Sequence, residues 1–281
     1  MNNGNKLNKA NIVSLQFRPK IGQKQKNLEK VKELAEKNAH LNPDLILVPE
    51  FFNTGVSVPE FKKLAETEEK NETLEFLAEI AKEHNSYLLA GSIIETKDGK
   101  LYNTSSLLDR QGKQIAVYKK IHLFDSFGGN EDSYCTRGDE IVVADTDFGK
   151  IGMSVCFDIK FPNHHIELVK RGAEIIVEPA AWCAPNTMIA QTVQEWILMN
   201  RARALDNMVY FASSNLCGKV DSFLTACGHS MIVAPNGNVL SDAGEEEGAA
   251  AFQIDMELLR ALREQFKIEN LWNPCMYSQA K

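Results

Sequence analysis

The sequence predicts a single α/β domain built as a layered sandwich. Three observations lead there. Segments with apolar residues at helical spacing alternate with short apolar runs of strand length. Several strand candidates are joined by tight turns and not by helical crossovers, which suits a sandwich better than a purely doubly wound sheet. No repeat, linker or low-complexity tract divides the chain.

Residues 11–17 (NIVSLQF) predict a strand. Residues 24–39 predict a helix, with Leu28, Val31, Leu34 and Ala35 on one stripe. The apolar run 44–49 (DLILVP) suits a buried strand, and 50–60 predicts a loop broken by Gly55 and Pro59. Helical spacing returns over 73–83 through Leu74, Leu77, Ile80 and Ala81. Strands are predicted over 87–94, 103–109 and 114–118, with turns at DGK (98–100) and QGK (111–113). Residues 121–139 form a long glycine-containing stretch without periodicity, the kind of loop that often carries function. Strands 141–144 and 151–156 follow, then a helix over 164–171 and a strand over 175–179. A long helix spans 187–207. Strands at 209–214, 230–234, 239–241 and 250–254 complete the sheet signals, with a Pro235-Asn236-Gly237 turn among them. Asp255 is placed to cap a last helix over 256–266. The expected organisation is a polar tail (1–9), one domain (10–260) and a C-terminal segment (261–281).

Composition narrows the function. The chain has 281 residues, with 31 Lys and Arg against 38 Asp and Glu, a formal net charge of −7. That balance argues against a general nucleic-acid binder, whose affinity rests on neutralising phosphates. No stretch approaches the roughly 20 apolar residues that span a bilayer. The polar start MNNGNKLNKAN lacks a signal peptide's apolar core. Cys135, Cys156, Cys183, Cys217, Cys227 and Cys275 form no CxxC pair. They read as reduced thiols of a cytoplasmic protein, not as a disulfide framework or a zinc site. Neither HExxH nor a phosphate-binding GxxxxGK[ST] loop occurs, so no metal or other cofactor is expected.

Three stretches place reactive groups where strands end. Glu50 follows LILVP, Lys119 and Lys120 end the strand before the irregular loop, and Cys156 ends the strand in GKIGMSVCFDIKFP. Taken singly, each has an ordinary reading as a loop carboxylate, a surface lysine or a small core thiol. Together they supply a nucleophile, a proton carrier and a cation.

PEFFNTG, YKKIHLFD and SVCFDIKFP, in that order, resemble the signature segments of the nitrilase superfamily of carbon–nitrogen hydrolases, amidase-type branch. EWILMNRARALDN, VYFASSN and GHSMIVAPNGNVL extend the resemblance along nearly the whole chain. It implies a four-layer α-β-β-α sandwich. It also implies a catalytic triad of Glu50 as general base, Lys120 as the lysine and Cys156 as nucleophile. Glu131 in GGNEDSY matches a supporting glutamate, and the Phe157 N–H would be an oxyanion donor. His122 matches a structural residue of the site wall, while His164 and His165 read as surface or local hydrogen-bonding residues. Trp182 and Cys183, in EPAAWCAPN, fall where relatives shape the acyl pocket; Trp182 would stack on substrate or simply pack. Lys160, Arg137 and Lys219 are candidates for a substrate carboxylate, or ordinary surface charges. Lys160 and Asn163 stand where ω-amidase segments have Arg and Glu.

The implied reaction cleaves a small or ω-amide to carboxylate and ammonia through a thioester. N-carbamoyl amines and nitriles use the same triad and remain alternatives, as does a catalytically silent binding or scaffold relative. The expected partners are a small-molecule substrate and a second copy of the chain. A homodimer or higher oligomer would form partly through the long helix and NLWNPCMY; no membrane or nucleic acid is implied.

Overall fold

The central strands bury both faces, and this sets the layering. In Lys9–Gln16, Ile12 packs into one core while Val13 and Leu15 pack into another. In Leu45–Leu47, Leu45 and Leu47 face the first core and Ile46 the second. Side chains alternate along a strand, so an unbroken apolar run signals a sheet covered on both sides. The computed structural model describes residues 7–67, 69–125 and 129–267.

Two large sheets stack on each other among the described residues. In the first, Lys9–Gln16 pairs antiparallel with Gly248–Asp255 and parallel with Leu45–Leu47. Tyr87–Leu89 continues it in parallel, and Lys100–Leu108, Ile93–Lys97 and Gln114–Lys119 add antiparallel ribbons. The second sheet centres on Ile175–Ala180, parallel to both Lys150–Met153 and Tyr210–Asn215. The core between the sheets joins Ile12, Leu45 and Leu89 to Ile175, Val177, Phe211 and Ile232. Helices Lys24–Lys37 and Glu72–His84 cover the first sheet through Leu28, Val31, Leu34, Leu77 and Ile80. Helices Pro162–Lys170 and Ile189–Asn207 cover the second through Leu168 and Trp196. The result is the α-β-β-α sandwich that the resemblance implied.

Local differences from the sequence reading have local causes. The strand expected over 87–94 is two strands, Tyr87–Leu89 and Ile93–Lys97. Gly91 separates them with φ +50°, and a Cβ there would lie 2.0 Å from the Pro49 carbonyl oxygen. The loop expected over 50–60 contains a helix, Val58–Lys63, with Pro59 in its first turn, where proline's missing N–H costs nothing. A small third sheet, of Cys183–Pro185, Leu224–Cys227 and Cys217–Lys219, has strands too short to leave a periodic signal. Helix Met256–Phe266 has the expected Asp255 cap, which accepts from the Leu258 N–H at 2.9 Å, and it runs across position 260. NLWNPCMY and Cys275 lie outside the described residues.

Candidate active site

The site is carried by the ends of two strands with parallel partners, Leu45–Leu47 and Lys150–Met153, and of the antiparallel strand Gln114–Lys119. Glu50 follows Leu45–Leu47 and bridges to Ser92 on the way into a turn that puts Phe51 at φ 53°. Lys120 follows Gln114–Lys119, and its N–H donates to the Asn103 carbonyl at 2.9 Å. Cys156 opens a short 3-10 turn, Cys156–Lys160, with φ 51°. That left-handed conformation costs a non-glycine residue about 1–3 kcal/mol and persists only where its surroundings enforce it. Asp158 enforces it here: its carboxylate accepts the Val155 N–H at 2.9 Å and the Tyr118 hydroxyl at 2.7 Å. It also accepts the His122 N–H at 3.0 Å and the His122 ring Nδ1–H at 2.7 Å.

These turns bring four expected residues together. Lys120 Nζ lies 3.1 Å from Glu50 Oε1 and 2.8 Å from Glu131 Oε2. Asn103 Nδ2 donates to both carboxylates, at 2.8 Å to Glu50 and 2.9 Å to Glu131. Glu50 Oε2 accepts the Ala181 N–H at 2.8 Å, and Glu131 Oε2 accepts the Phe124 N–H at 2.7 Å. The Cys156 thiol lies against Glu50 and the Ala181 backbone. Glu50, Lys120, Glu131 and Cys156 are all buried.

Charge is managed by pairing. Burial works to lower the Lys120 pKa, but Glu131, Glu50 and Cys156 outweigh it and hold the ammonium well above the ordinary lysine range. Burial raises the Cys156 thiol well above its usual value; Glu50 adds to that rise and Lys120 opposes it. Cys156 therefore rests as a thiol, and would need a base beside it to react as a thiolate. Glu178, one strand deeper, is completely buried and pushed well above the carboxylate range by burial, with Asp158 adding to the effect.

The sequence profile of the carbon-nitrogen hydrolase family matches residues 11–264. The chain belongs to the carbon-nitrogen hydrolase family. It is a hydrolase of non-peptide carbon–nitrogen bonds. An omega-amidase of Xenopus tropicalis is 34% identical over 260 residues, covering 91% of this chain and 92% of the relative. An omega-amidase of Saccharomyces cerevisiae is 30% identical over 268 residues, covering 91% and 90%. The solved structure of a Saccharomyces cerevisiae member of branch 10 of the nitrilase superfamily superposes with a TM-score of 0.83 at 27% identity. That match covers 93% of this chain and 96% of the other.

The remaining expected residues of this carbon-nitrogen hydrolase surround the cluster unevenly. Phe157 is half-buried in an aromatic group with Phe124 at 5.2 Å, Phe161 at 5.7 Å and Trp182 at 6.5 Å between ring centroids. Trp182 also stacks on Trp196 at 5.3 Å. Lys160 Nζ lies 5.9 Å from the Trp182 ring and 3.7 Å from Glu195. Cys183 begins a strand of the third sheet, and burial raises its thiol. Arg137 is largely exposed and pairs with Asp125 at 3.3 Å. The surface reading of His164 and His165 is wrong: they are 3% and 0% exposed. The helix Pro162–Lys170 starts two residues before His164 and turns both rings inward. His165 Nδ1–H donates to the Phe161 carbonyl at 3.1 Å, so the local hydrogen bond is present.

Sequence reasoning gave no role to Asn103, the Ala181 N–H, Tyr118 or Glu178. Asn103 offered no usable sign, because its strand KLYNTSSLL carries four consecutive polar residues, Asn103 to Ser106. The backbone donor at 181 leaves no sign in side-chain identity.

Proposed function

We propose that the protein is an amidase that cleaves a small amide to carboxylate and ammonia, with Cys156, Glu50 and Lys120 as its catalytic residues. The observation that carries this reading is the buried Lys120 ammonium held between Glu50 and Glu131 beside the Cys156 thiol. Glu50 takes the Cys156 proton as sulfur attacks the amide carbon. Lys120 and the Phe157 N–H stabilise the oxyanion. Glu50 returns the proton to the departing nitrogen, ammonia leaves, and a thioester remains on Cys156. Water then gives a proton to Glu50, its oxygen attacks the thioester carbon, and the acid departs as the thiol re-forms. Asn103 and the Ala181 N–H hold the Glu50 carboxylate toward sulfur throughout.

The substrate class we favour is an ω-amide of a dicarboxylic acid. Phe157 and Trp182 would wall the acyl chain, and Lys160 would take the distal carboxylate. Its pairing with Glu195 at 3.7 Å is loose and half-exposed, so a substrate carboxylate can replace it. Arg137 already faces Asp125 and is the weaker candidate. An ammonia-release screen over ω-amides, neutral amides, N-carbamoyl amines and nitriles tests the reading. Turnover of ω-amides that disappears in Cys156→Ala supports it; full turnover by Cys156→Ala refutes it.

We also assign the helix Ile189–Asn207 to contact with a second copy. Leu198 and Leu205, seven residues apart on one face, are 64% and 54% exposed. Sedimentation of wild type against Leu198→Glu decides this; an unchanged mass would remove the helix from the interface. No helix among the described residues is long and apolar enough to cross a membrane. Five described cysteines are free, which suits a reducing, cytoplasmic setting.

A further inference from the structure

Beside the cluster of Glu50, Lys120 and Glu131 lies a second convergence of side chains that the proposed reaction does not use as ligands. One donor atom each from His122, Asp158 and His164 lies within 4.8 Å of the others. Asp158 is completely buried, and His164 is 3% exposed. The Met153 backbone engages the His164 ring on one side at most, so at least one of its two ring nitrogens has no hydrogen-bond partner among the described residues. A buried ring nitrogen without a partner is unfavourable, and a cation would use its lone pair. His122 gives access. Its side chain is 25% exposed, and its ring stacks on the partly exposed Phe161 at 3.7 Å.

We propose that His122, Asp158 and His164 form a site for a borderline divalent cation of the Zn²⁺ type, and that its occupancy slows hydrolysis. Two imidazole nitrogens and one carboxylate oxygen are a zinc-class donor set, with water completing a tetrahedral shell. Magnesium and calcium prefer all-oxygen shells. Metal–ligand bonds of about 2.0–2.2 Å need donors closer than the 4.8 Å spread, so binding draws both rings in around Asp158. The proton on His122 Nδ1 moves to Nε2 or to solvent.

The cost falls on the nucleophile's turn. Asp158 holds the Val155 N–H and the Tyr118 hydroxyl, and that hydroxyl in turn accepts the Ile121 N–H at 3.2 Å. A carboxylate pulled toward a cation loosens these contacts on both sides of the site, next to Cys156 and next to Lys120. The inhibitory half of the proposal rests on the catalytic role of Cys156; the binding half does not.

The test uses the full chain and its Cys156→Ala variant, titrated with Zn²⁺ against a chromophoric chelator and with Co²⁺ followed by visible absorption. One equivalent should bind to both proteins, without a thiolate-to-cobalt charge-transfer band. His164→Gln should weaken binding at least tenfold and raise by a similar factor the Zn²⁺ concentration that halves activity. His122→Gln, on the exposed side, carries the same binding test if His164→Gln does not fold. The site is overturned if no stoichiometric binding occurs, if binding vanishes in Cys156→Ala, or if both histidine variants bind as wild type. Stoichiometric binding with unchanged turnover overturns the inhibitory half. If no carbon–nitrogen substrate is turned over at all, the binding measurements still decide the site.

Discussion

Lys120 Nζ lies 3.1 Å from Glu50 Oε1, with both side chains 1% exposed. Such a pair is held by its network: truncating one partner of a buried ion pair typically costs about 3–5 kcal/mol. Lys120→Met leaves Glu50 and Glu131 facing each other without their shared cation. It should lower thermal stability clearly, and it should lower kcat by about 10²–10³-fold, the usual worth of one oxyanion-stabilising group. Glu50→Gln should cost about 10²–10⁴-fold, the range for general acid–base help. Lys119 is the control, because its Nζ sits over the Tyr102 ring at 3.9 Å and outside the cluster. Steady-state kinetics should find Lys119→Ala close to wild type. A dead Lys119 variant beside an active Lys120 variant would reverse the assignment.

His165 gives the fold an acid-sensitive point. Burial depresses its pKa from 6.5 to about 3, and His164 adds to the effect. The folded state therefore excludes a proton that the unfolded state accepts. Its contribution is fully present above about pH 6.5 and is lost as pH falls toward about 3. Urea midpoints of wild type should drop from pH 7 to pH 4 by more than those of His165→Leu. Equal drops would show that His165 does not contribute to the acid limb.

Glu178 has the opposite sign. It is completely buried, with Ser154 beside its carboxylate and His165 Nε2 3.6 Å away. With its pKa raised well above 4.5, Glu178 stays protonated in the fold and ionises when the chain unfolds. Stability from this group is fully present below pH 4.5 and declines as pH rises through the neutral range. Glu178→Gln keeps the shape and a donor for His165 without that penalty. It should fold, retain activity and gain stability relative to wild type as pH goes from 5 to 8. Loss of folding in the Gln variant would mean that the pair is ionised, Glu⁻ against His⁺.

Chelation should not reduce hydrolysis. In the proposed reaction the cation facing the developing oxyanion is Lys120, which lies between two carboxylates. Dialysis against a strong chelator should leave kcat/KM unchanged or raised. Activity lost on chelation and restored by a single metal would assign the electrophilic role to that metal and not to Lys120.

The layering was legible because strands buried on both faces leave apolar runs, as in DLILVP, and the covering helices leave stripes such as Leu28, Val31 and Leu34. The convergence of Glu50, Lys120 and Cys156 was suggested by three reactive side chains at strand ends inside recognisable segments. Their mutual geometry was not. Asn103 ties Glu50 to Glu131 across 28 residues in one direction and 53 in the other. The Ala181 N–H reaches Glu50 from 131 residues away. Contacts of that range depend on how the two sheets stack, which no local pattern records. The inward turn of His164 and His165 was missed for a related reason. A helix of nine residues, Pro162–Lys170, has too few turns for polar residues to declare which face they occupy.

Substrate choice should turn on Lys160. It stands on the Cys156–Lys160 turn, four residues after Cys156, with its ammonium between the Trp182 ring and Glu195. If a dicarboxylic ω-amide binds with its acyl chain along Phe157 and Trp182, the far carboxylate meets this cation. Charge-assisted contacts of this kind contribute about 1.5–3 kcal/mol, or roughly 10–100-fold in kcat/KM. Lys160→Met should lose that factor, mainly through KM, for an ω-amide while leaving a neutral amide of equal length almost untouched. Glu195→Gln should act in the opposite direction by removing the competing carboxylate. Trp182→Ala should weaken both substrates together, because the ring offers apolar surface to either. The pattern across three variants and two substrates is what counts: equal losses for charged and neutral amides in Lys160→Met would remove Lys160 from carboxylate recognition and leave it as a surface partner of Glu195.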